Sequence, residues 1–300
     1  MAAGADRKLT GVQVHDNKAW FFVLPAAALL CFVGLIPLVI NGWHSFFDIF
    51  TLDQKYWVGG EWYVEILGEG RFYESLGRSL LFSTCVIAVQ FPLGLLIALS
   101  LPREGWVRSL GLILLAVPLV VPWNMIPSIW LALIDPETGY LGRAMAWSGV
   151  PFDYKFTAIH TWILLVLMDT WHWVGLVAIL ACSGLSGIAP SYYQAAAIDQ
   201  ASRWQVFRHI ELPKLTAVML MALLLRFMDS FMIYVEAFGI NAGGPSDATT
   251  FLSLDLGEEI KAFNYGPAAA RSVVHFVISL MIVWVFWRAM TARRDAEVTP

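Results

Sequence analysis

Charged residues are scarce in this sequence. Only 14% of the 300 residues are Asp, Glu, Lys or Arg, whereas 58% are apolar; a soluble domain usually carries about a quarter charged residues. The mean hydropathy is +0.66. A soluble core does not need charge-free runs longer than about 18 residues, which are typical of transmembrane helices. The composition therefore argues against an ordinary soluble domain and favours an integral membrane protein.

Basic charge and cysteine are also limited. The formal net charge of −4 excludes a basic chain that coats nucleic acid, so no nucleic-acid partner is expected. The three cysteines, Cys31, Cys85 and Cys182, lie far apart in apolar runs without C-x-x-C spacing. They indicate packed thiols rather than a disulfide framework, and we assign no metal site and no catalytic residue.

Six apolar runs are each long enough to cross about 30 Å of hydrocarbon as a helix. They lack the alternation of barrel strands, and only a helix satisfies its own backbone in lipid. The sequence therefore predicts an all-α polytopic membrane protein with a transmembrane domain at 19–290 and tails at 1–18 and 291–300. The predicted spans are 19–47, 79–102, 109–134, 156–188, 215–240 and 266–287.

The ends and connections of these runs predict the orientation. The first run is longer than the apolar core of a secretory signal, about 7–15 residues, so we expect an uncleaved span. Placing the N-terminus inside leaves more Lys and Arg in the inside connections, and the longer connections with acidic clusters outside. Lys and Arg favour the cytoplasmic side, so both termini are expected there.

Ionisable residues within the spans are costly in lipid and mark candidate functional positions. Asp169 and His172 stand i, i+3 in the fourth span, and Arg226 and Asp229 stand i, i+3 in the fifth; structural pairs between helices are an alternative for both. Glu236 follows on nearly the same helical face as Asp229. Carboxylates accept hydrogen bonds from hydroxyl groups, and aromatic rings cover the apolar side of a polyhydroxylated solute.

Three prolines in the third span, Pro118, Pro122 and Pro127, surround Trp123 and Asn124. Proline frees backbone carbonyls and breaks a helix, which lipid tolerates only beside a cavity or other protein. The predicted substrate path therefore comprises Trp123, Asn124, Asp169, Trp171, His172, Asp229, Tyr234 and Glu236.

The connection between the fourth and fifth spans, residues 190–214, differs from the others. Pro190-Ser191 can start a helix, small residues leave a slim surface, and Pro213 turns the chain into the next span. An amphipathic connection without a partner is an alternative on these features alone. The residue order, however, resembles the EAA loop, E-A-A-x-x-x-G-A-s-x-x-x-x-F-x-x-I-x-L-P, of permease subunits of bacterial binding-protein-dependent ABC importers.

The resemblance implies the type I permease fold of these importers, with six transmembrane helices and a cytoplasmic coupling helix that contacts an ATPase. Arg226–Phe231 and Gly243-Gly244-Pro245 resemble the carbohydrate and polyol group, which includes maltose, glycerol-phosphate and glycerol-type permeases. The implied coupling residues are Tyr193, Gln194, Ala195, Ala196, Asp199, Gln200, Ala201, Phe207, Ile210, Leu212 and Pro213.

Two positions depart from this pattern. Gln194 stands where the family has a glutamate, and Gln200 where it has a glycine. Glycine serves a bend between two short helices, so Gln200 must accept an unfavourable φ or the bend must shift.

The resemblance also implies partners and location. It predicts a second permease subunit, usually a different chain, two cytoplasmic ATPase subunits, an external binding protein and a small polar solute, all assembled at the inner membrane. The chain lacks a G-x-x-x-x-G-K-[ST] loop. We therefore expect no enzyme activity and no cofactor in this chain, with ATP and Mg bound by the ATPase.

Two other classes of membrane protein fit the sequence less well. An autonomous secondary transporter or channel could use Asp169, Asp229 and Glu236, but the internal symmetry typical of that class is absent from the sequence. A membrane enzyme would have only Asp169 and His172, without a nucleophile or metal-ligand set beside them.

Overall fold

The computed structural model describes residues 19–50 and 54–298, so the predicted tail at 1–18 lies outside the described residues. The described part contains five helices long and apolar enough to cross a membrane, and one helix pair bent by 82° that passes the same test together. Counting the bent pair as one span gives the six predicted.

The first span is a helix that continues into a small folded cap. α1 (Ala19–Leu30) runs through a π-helical turn (Cys31–Leu35) into α2 (Ile36–His44). Strands β1 (Phe47–Ile49) and β2 (Lys55–Trp57) pair antiparallel, with Phe47 opposite Trp57, and α3 (Glu61–Gly68) follows. Trp62 Nε1 donates to the Phe47 carbonyl, which ties α3 to the hairpin.

The second span, α4 (Gly70–Ser100), begins before the predicted boundary at 79. Its first turns carry Arg71 and Arg78, two charged residues that the predicted apolar span does not include. The helix continues there because both charges have partners: Arg71 pairs with Asp255 at 3.0 Å, and Arg78 pairs with Glu74 at 2.8 Å.

The third span is broken. α5 (Trp106–Val120) ends two residues before Pro122, which has no N–H to continue the helix. A 3₁₀ turn (Trp123–Met125) leads into α6 (Ile126–Ile134) at 82°, and α7 (Tyr140–Trp147) follows. The break at the prolines is confirmed, but one continuous helix over 109–134 is wrong.

The second half of the chain contains two more spans and the 190–214 connection. The fourth span is α8 (Ala158–Ser186). The connection contains α9 (Pro190–Ile198), α10 (Arg203–Val206) and a π-helical turn (Phe207–Glu211) that runs directly into α11 (Leu212–Phe231). Then come α12 (Val235–Asn241), α13 (Leu252–Lys261) and the sixth span, α14 (Tyr265–Val298), which continues through residues predicted as a tail.

The fifth span is not one helix over 215–240, as predicted. It is interrupted at Met232–Tyr234, where the Ile233 carbonyl accepts a hydrogen bond from Ser253 Oγ of α13 instead of continuing the helix. Glu236 therefore does not follow Asp229 on one helical face, and that expectation is wrong.

The α4–α8 pair forms the centre of the bundle, flanked by α5 and α11. Glycines allow the close approach: a Cβ on Gly175 would lie 2.0 Å from the Leu115 carbonyl oxygen of α5. The first span contacts the bundle through α2 and α14, and its apolar side chains are largely exposed, as suits a helix in lipid.

We expect Gly175→Ala to destabilise the α5–α8 contact, because the new methyl group meets backbone that cannot rotate away. Overpacking of this kind costs about 1–3 kcal/mol. Gly77→Ala is the matched control, since a Cβ there meets nothing within 4 Å. Thermal unfolding of the detergent-purified protein checks this; equal melting temperatures for the two variants would contradict it.

Candidate functional site

A buried arginine organises the polar residues inside the bundle. Arg226 on α11 is 1% exposed, and its guanidinium donates to Asp169 Oδ2 of α8 at 2.6 Å and to Asp229 Oδ2 at 2.5 Å. Its Nε donates to Gln90 Oε1 of α4 at 2.9 Å, and Gln90 Nε2 donates to Asp169 at 2.5 Å. Three spans are thereby joined by one hydrogen-bond network.

This network changes the interpretation of Asp169 and His172. Asp169 bonds to Arg226 and Gln90, so an Asp169–His172 pair is wrong. His172 is buried, the Pro118 backbone lies beside its ring as a hydrogen-bonding group, and the ring lies edge-on to Trp173. The Arg226–Asp229 pair is confirmed.

Asp229 is the more exposed carboxylate of this network. Its side chain is 30% exposed, whereas Asp169 is 3% exposed. Trp173 contacts the same guanidinium that Asp229 pairs with, and the Arg226 guanidinium lies 4.6 Å from its ring centroid. The site therefore presents a carboxylate next to an indole, a combination suited to hydroxyl groups and the apolar face of a sugar ring.

The break in the third span brings its predicted residues to the same region. Trp123 packs against Trp173 with centroids 6.3 Å apart and remains 53% exposed, and Asn124 is exposed beside it. The 3₁₀ turn interrupts the helix here, and at this bend Trp123 contacts Trp173.

The remaining predicted path residues lie outside the hydrogen-bond network of Arg226, although Glu236 is near enough to interact electrostatically with Asp169 and Asp229. Trp171 packs edge-on against Trp130 in the apolar core. Tyr234 stacks on Phe238 and contacts α13 near Gly257. Glu236 is 9% exposed and has no ion-pair partner among the described residues.

Sequence reasoning missed Gln90 and did not select Trp173. Gln90 is a polar residue in the middle of a charge-free run, and that contrast was the available signal. Trp173 directly follows Trp171 and His172, which were selected from the sequence instead. Its importance comes from a contact with Arg226, which lies on another helix.

The 190–214 connection forms two short helices joined by a sharp bend. α9 ends in a Schellman arrangement, in which Gln200 N–H donates to the Ala197 carbonyl (3.2 Å) and Ala201 N–H to the Ala196 carbonyl (2.9 Å). Gln200 has φ +53°, the left-handed region that glycine normally occupies. The expectation that Gln200 accepts an unfavourable φ is confirmed.

Hydrogen bonds hold the rest of this connection. Ser202 and Gln205 form a reciprocal capping box at the start of α10. Glu211, 3% exposed, accepts from Arg203 Nη1 at 2.5 Å and from Tyr193 Oη at 3.3 Å. Burial raises the pKa of the Tyr193 hydroxyl and the Glu211 carboxylate raises it further, so Tyr193 stays protonated and donates.

The outer surface of the connection is exposed and partly apolar. Gln194, Ala195, Asp199 and Gln200 are exposed, whereas Ala196 is buried. Phe207 and Ile210 are half-buried, Ala201 is partly covered, and Leu212 and Pro213 are exposed where α11 begins. Two apolar side chains, Ile198 (81% exposed) and Trp204 (63% exposed), protrude from it. Such protruding apolar groups are typical of a surface that contacts a partner.

A helical bundle with a buried polar network between its ends and a protruding two-helix connection is the architecture of a membrane transport protein. The chain belongs to the family of binding-protein-dependent transport system inner membrane components, whose family model matches residues 90–294. It is thus a permease subunit of an ABC importer in the inner membrane.

Relatives and solved structures agree with this membership. The trehalose/maltose transport system permease protein of Thermococcus litoralis is 27% identical, over 97% of this chain and 100% of its own length. The trehalose transport system permease protein of Mycobacterium tuberculosis is 25% identical, over 92% and 90%. The crystal structure of a bacterial ABC transporter that imports alginate matches with TM-score 0.77 and 19% identity, over 92% and 95%, and shows the same fold.

We expect Arg226→Gln to destabilise the protein strongly, because Asp169 then lies buried without a counter-charge; breaking a buried pair costs about 3–5 kcal/mol. Asp169→Asn combined with Arg226→Gln removes both charges and should recover most of the loss. Thermal unfolding of the purified protein measures both, with Arg143→Gln at an exposed position as control. A double variant no more stable than Arg226→Gln would show that the ion pair is not the cause.

Proposed function

We propose that this chain forms half of the translocation pore of an ATP-driven importer of a disaccharide such as trehalose or maltose. One observation carries the proposal: the alignment with a trehalose/maltose permease covers nearly the whole of both chains. A second permease subunit completes the pore, and an external binding protein delivers the sugar. The glycerol-type and polyol substrates stay predictions.

The residues around Arg226 support a sugar path. Asp229 supplies the more exposed carboxylate. Trp173, which contacts Arg226, and Trp123, which packs on Trp173, supply aromatic faces. Because Arg226 is already paired with Asp169, the net charge that a passing solute meets is negative or neutral, which suits an uncharged polyhydroxylated substrate. Asp169, Trp171 and His172 support the path from behind rather than line it.

The 190–214 connection is proposed as the contact with the ATPase subunits, which bind ATP and Mg. Its exposed face, with Ile198, Trp204 and the backbone turn at Gln200, is available to a partner. Tyr193, Glu211 and Arg203 link this face to the base of α11, so a displacement of α9 would be transmitted toward the span that carries Arg226. Alternating access would follow from that movement.

In the proposed topology this connection and both termini are cytoplasmic, and the hairpin, α3 and α13 are external. The external side is held by Arg271 of α14, which pairs with Asp255 at 2.8 Å and Glu69 at 2.6 Å. These pairs fasten α13 to the base of α4 and give the binding protein a defined surface to contact.

Replacing Gln200 tests the coupling bend. We expect Gln200→Gly to stabilise the connection, because a non-glycine residue in the left-handed region costs about 1–2 kcal/mol. Substrate-stimulated ATPase activity of the assembled transporter should be maintained or raised, and its melting temperature should rise. Gln194→Gly is the matched control: it places glycine inside α9 and should cost about 1 kcal/mol. A clear loss of activity in Gln200→Gly would contradict this assignment of the bend.

Uptake by the reconstituted transporter tests the function itself. Proteoliposomes containing this chain, the second permease subunit and the ATPase should accumulate labelled trehalose or maltose only with binding protein outside and ATP inside. Asp229→Asn and Glu236→Gln should reduce uptake severalfold without loss of assembly, whereas Glu137→Gln, in an exposed loop, should not. Uptake by the purified chain alone would overturn the proposal, and normal uptake in both variants would remove these residues from the path.

A further inference from the structure

A cavity of about 700 Å³ lies at the end of the bundle that carries the 190–214 connection. It is enclosed by the end of α4, the turn before α5, the end of α8, and α9 with α10. The volume is within the range of small-molecule sites, about 300–1,000 Å³. None of the Arg226 network residues lines it, so it is separate from the proposed sugar path.

Two guanidinium groups on this cavity have no carboxylate partner among the described residues. The Arg103 guanidinium lies 3.7 Å from the centroid of the Tyr193 ring. Arg108 donates to Ser186 Oγ at 2.8 Å and to the Arg103 carbonyl at 2.5 Å. Each guanidinium has five N–H donors, so several remain available.

The other charged groups on the cavity do not cancel its net positive charge. Arg203 and Glu211 neutralise one another at 2.5 Å. Glu104 also lines the cavity and, like Arg103, is exposed; it forms no ion pair among the described residues, so the lining holds three arginines and two glutamates. The lining therefore combines two available guanidinium groups with an apolar wall of Ala98, Leu101 and Leu185, whereas the hydroxyls of Ser186 and Tyr193 already donate to the Cys182 carbonyl and to Glu211.

We infer that this cavity binds a phosphate-bearing anion. Guanidinium groups match the geometry of phosphate oxygens, and the apolar wall suits the organic part of such a ligand. Two sources carry this chemistry: a free phosphate compound, or the headgroup of an anionic phospholipid, which basic pockets at the cytoplasmic ends of transmembrane helices bind.

A bound anion would restrict the movement of the 190–214 connection. Arg103 precedes α5 and stacks on Tyr193 of α9, and Arg108 holds Ser186 at the end of α8. An anion bridging both arginines would fix α9 against the turn between α4 and α5. This consequence rests on the proposed coupling role, whereas the binding itself does not.

Binding is measured on the purified transporter in two arms. In nanodiscs of phosphatidylcholine, inorganic phosphate is titrated and followed by ³¹P line broadening. In nanodiscs containing phosphatidylglycerol, the transporter is extracted into detergent and the retained phosphatidylglycerol is quantified by mass spectrometry. Binding in the first arm identifies a free anion, and retention in the second identifies a lipid headgroup.

The variant Arg103→Gln/Arg108→Gln should lower binding or retention at least tenfold, and Arg143→Gln, an exposed arginine far from the cavity in sequence, should leave it unchanged. Phosphate held by the ATPase is common to all variants and cancels in this comparison. If the glutamine variant does not assemble, Arg103→Lys/Arg108→Lys keeps the charge but loses the planar fork and should still weaken binding. No binding in either arm, or equal binding in the variants tested, would overturn the inference irrespective of sugar uptake.

Discussion

Arg226 carries a positive charge in the middle of a helix bundle, 1% exposed, and the surrounding structure depends on keeping that charge paired. An unpaired charge at this depth costs several kcal/mol, so Asp169, Asp229 and Gln90 must approach from their own helices. Because each partner comes from a fixed position on α4, α8 or α11, the network sets the register of three spans at once. It also leaves Asp229 as the more exposed carboxylate of the network.

The second constraint is the close approach of neighbouring helices at glycine positions, where the glycine contributes no side chain. Gly175 lets α8 meet the Leu115 carbonyl, and Gly94 lets α4 meet Val177. In lipid, where apolar side chains gain little by leaving the solvent, such close packing contributes much of the association between helices. Among the described residues, the third span is nonetheless broken at the prolines near Trp123, and the fifth is interrupted at Met232–Tyr234. Both breaks adjoin polar residues in the chain: Asn124 at the first, and Asp229 and Glu236 at the second.

At the other end, one left-handed residue shapes the surface that the 190–214 connection presents. Gln200 completes the Schellman turn of α9, and the capping box at Ser202 starts the next helix immediately. The conformation persists despite its cost because Glu211, Arg203 and Tyr193 hold both sides of the bend. A stiff, strained turn of this kind suits an element that moves as a unit.

Much of this architecture follows from the sequence itself, because a bilayer imposes length and apolarity on every span. The number of spans follows from long apolar runs, and the break at the prolines and the pairing of Arg226 with Asp229 follow from residues close together in the chain. The unusual φ of Gln200 follows from the family resemblance, in which glycine occupies this position. Only the tertiary structure decided that Asp169 pairs with Arg226 rather than His172, that the fifth span is interrupted, and that Arg103 meets Tyr193. Those outcomes depend on which helices are neighbours, and residues 57 to 136 positions apart meet through packing that no local pattern encodes.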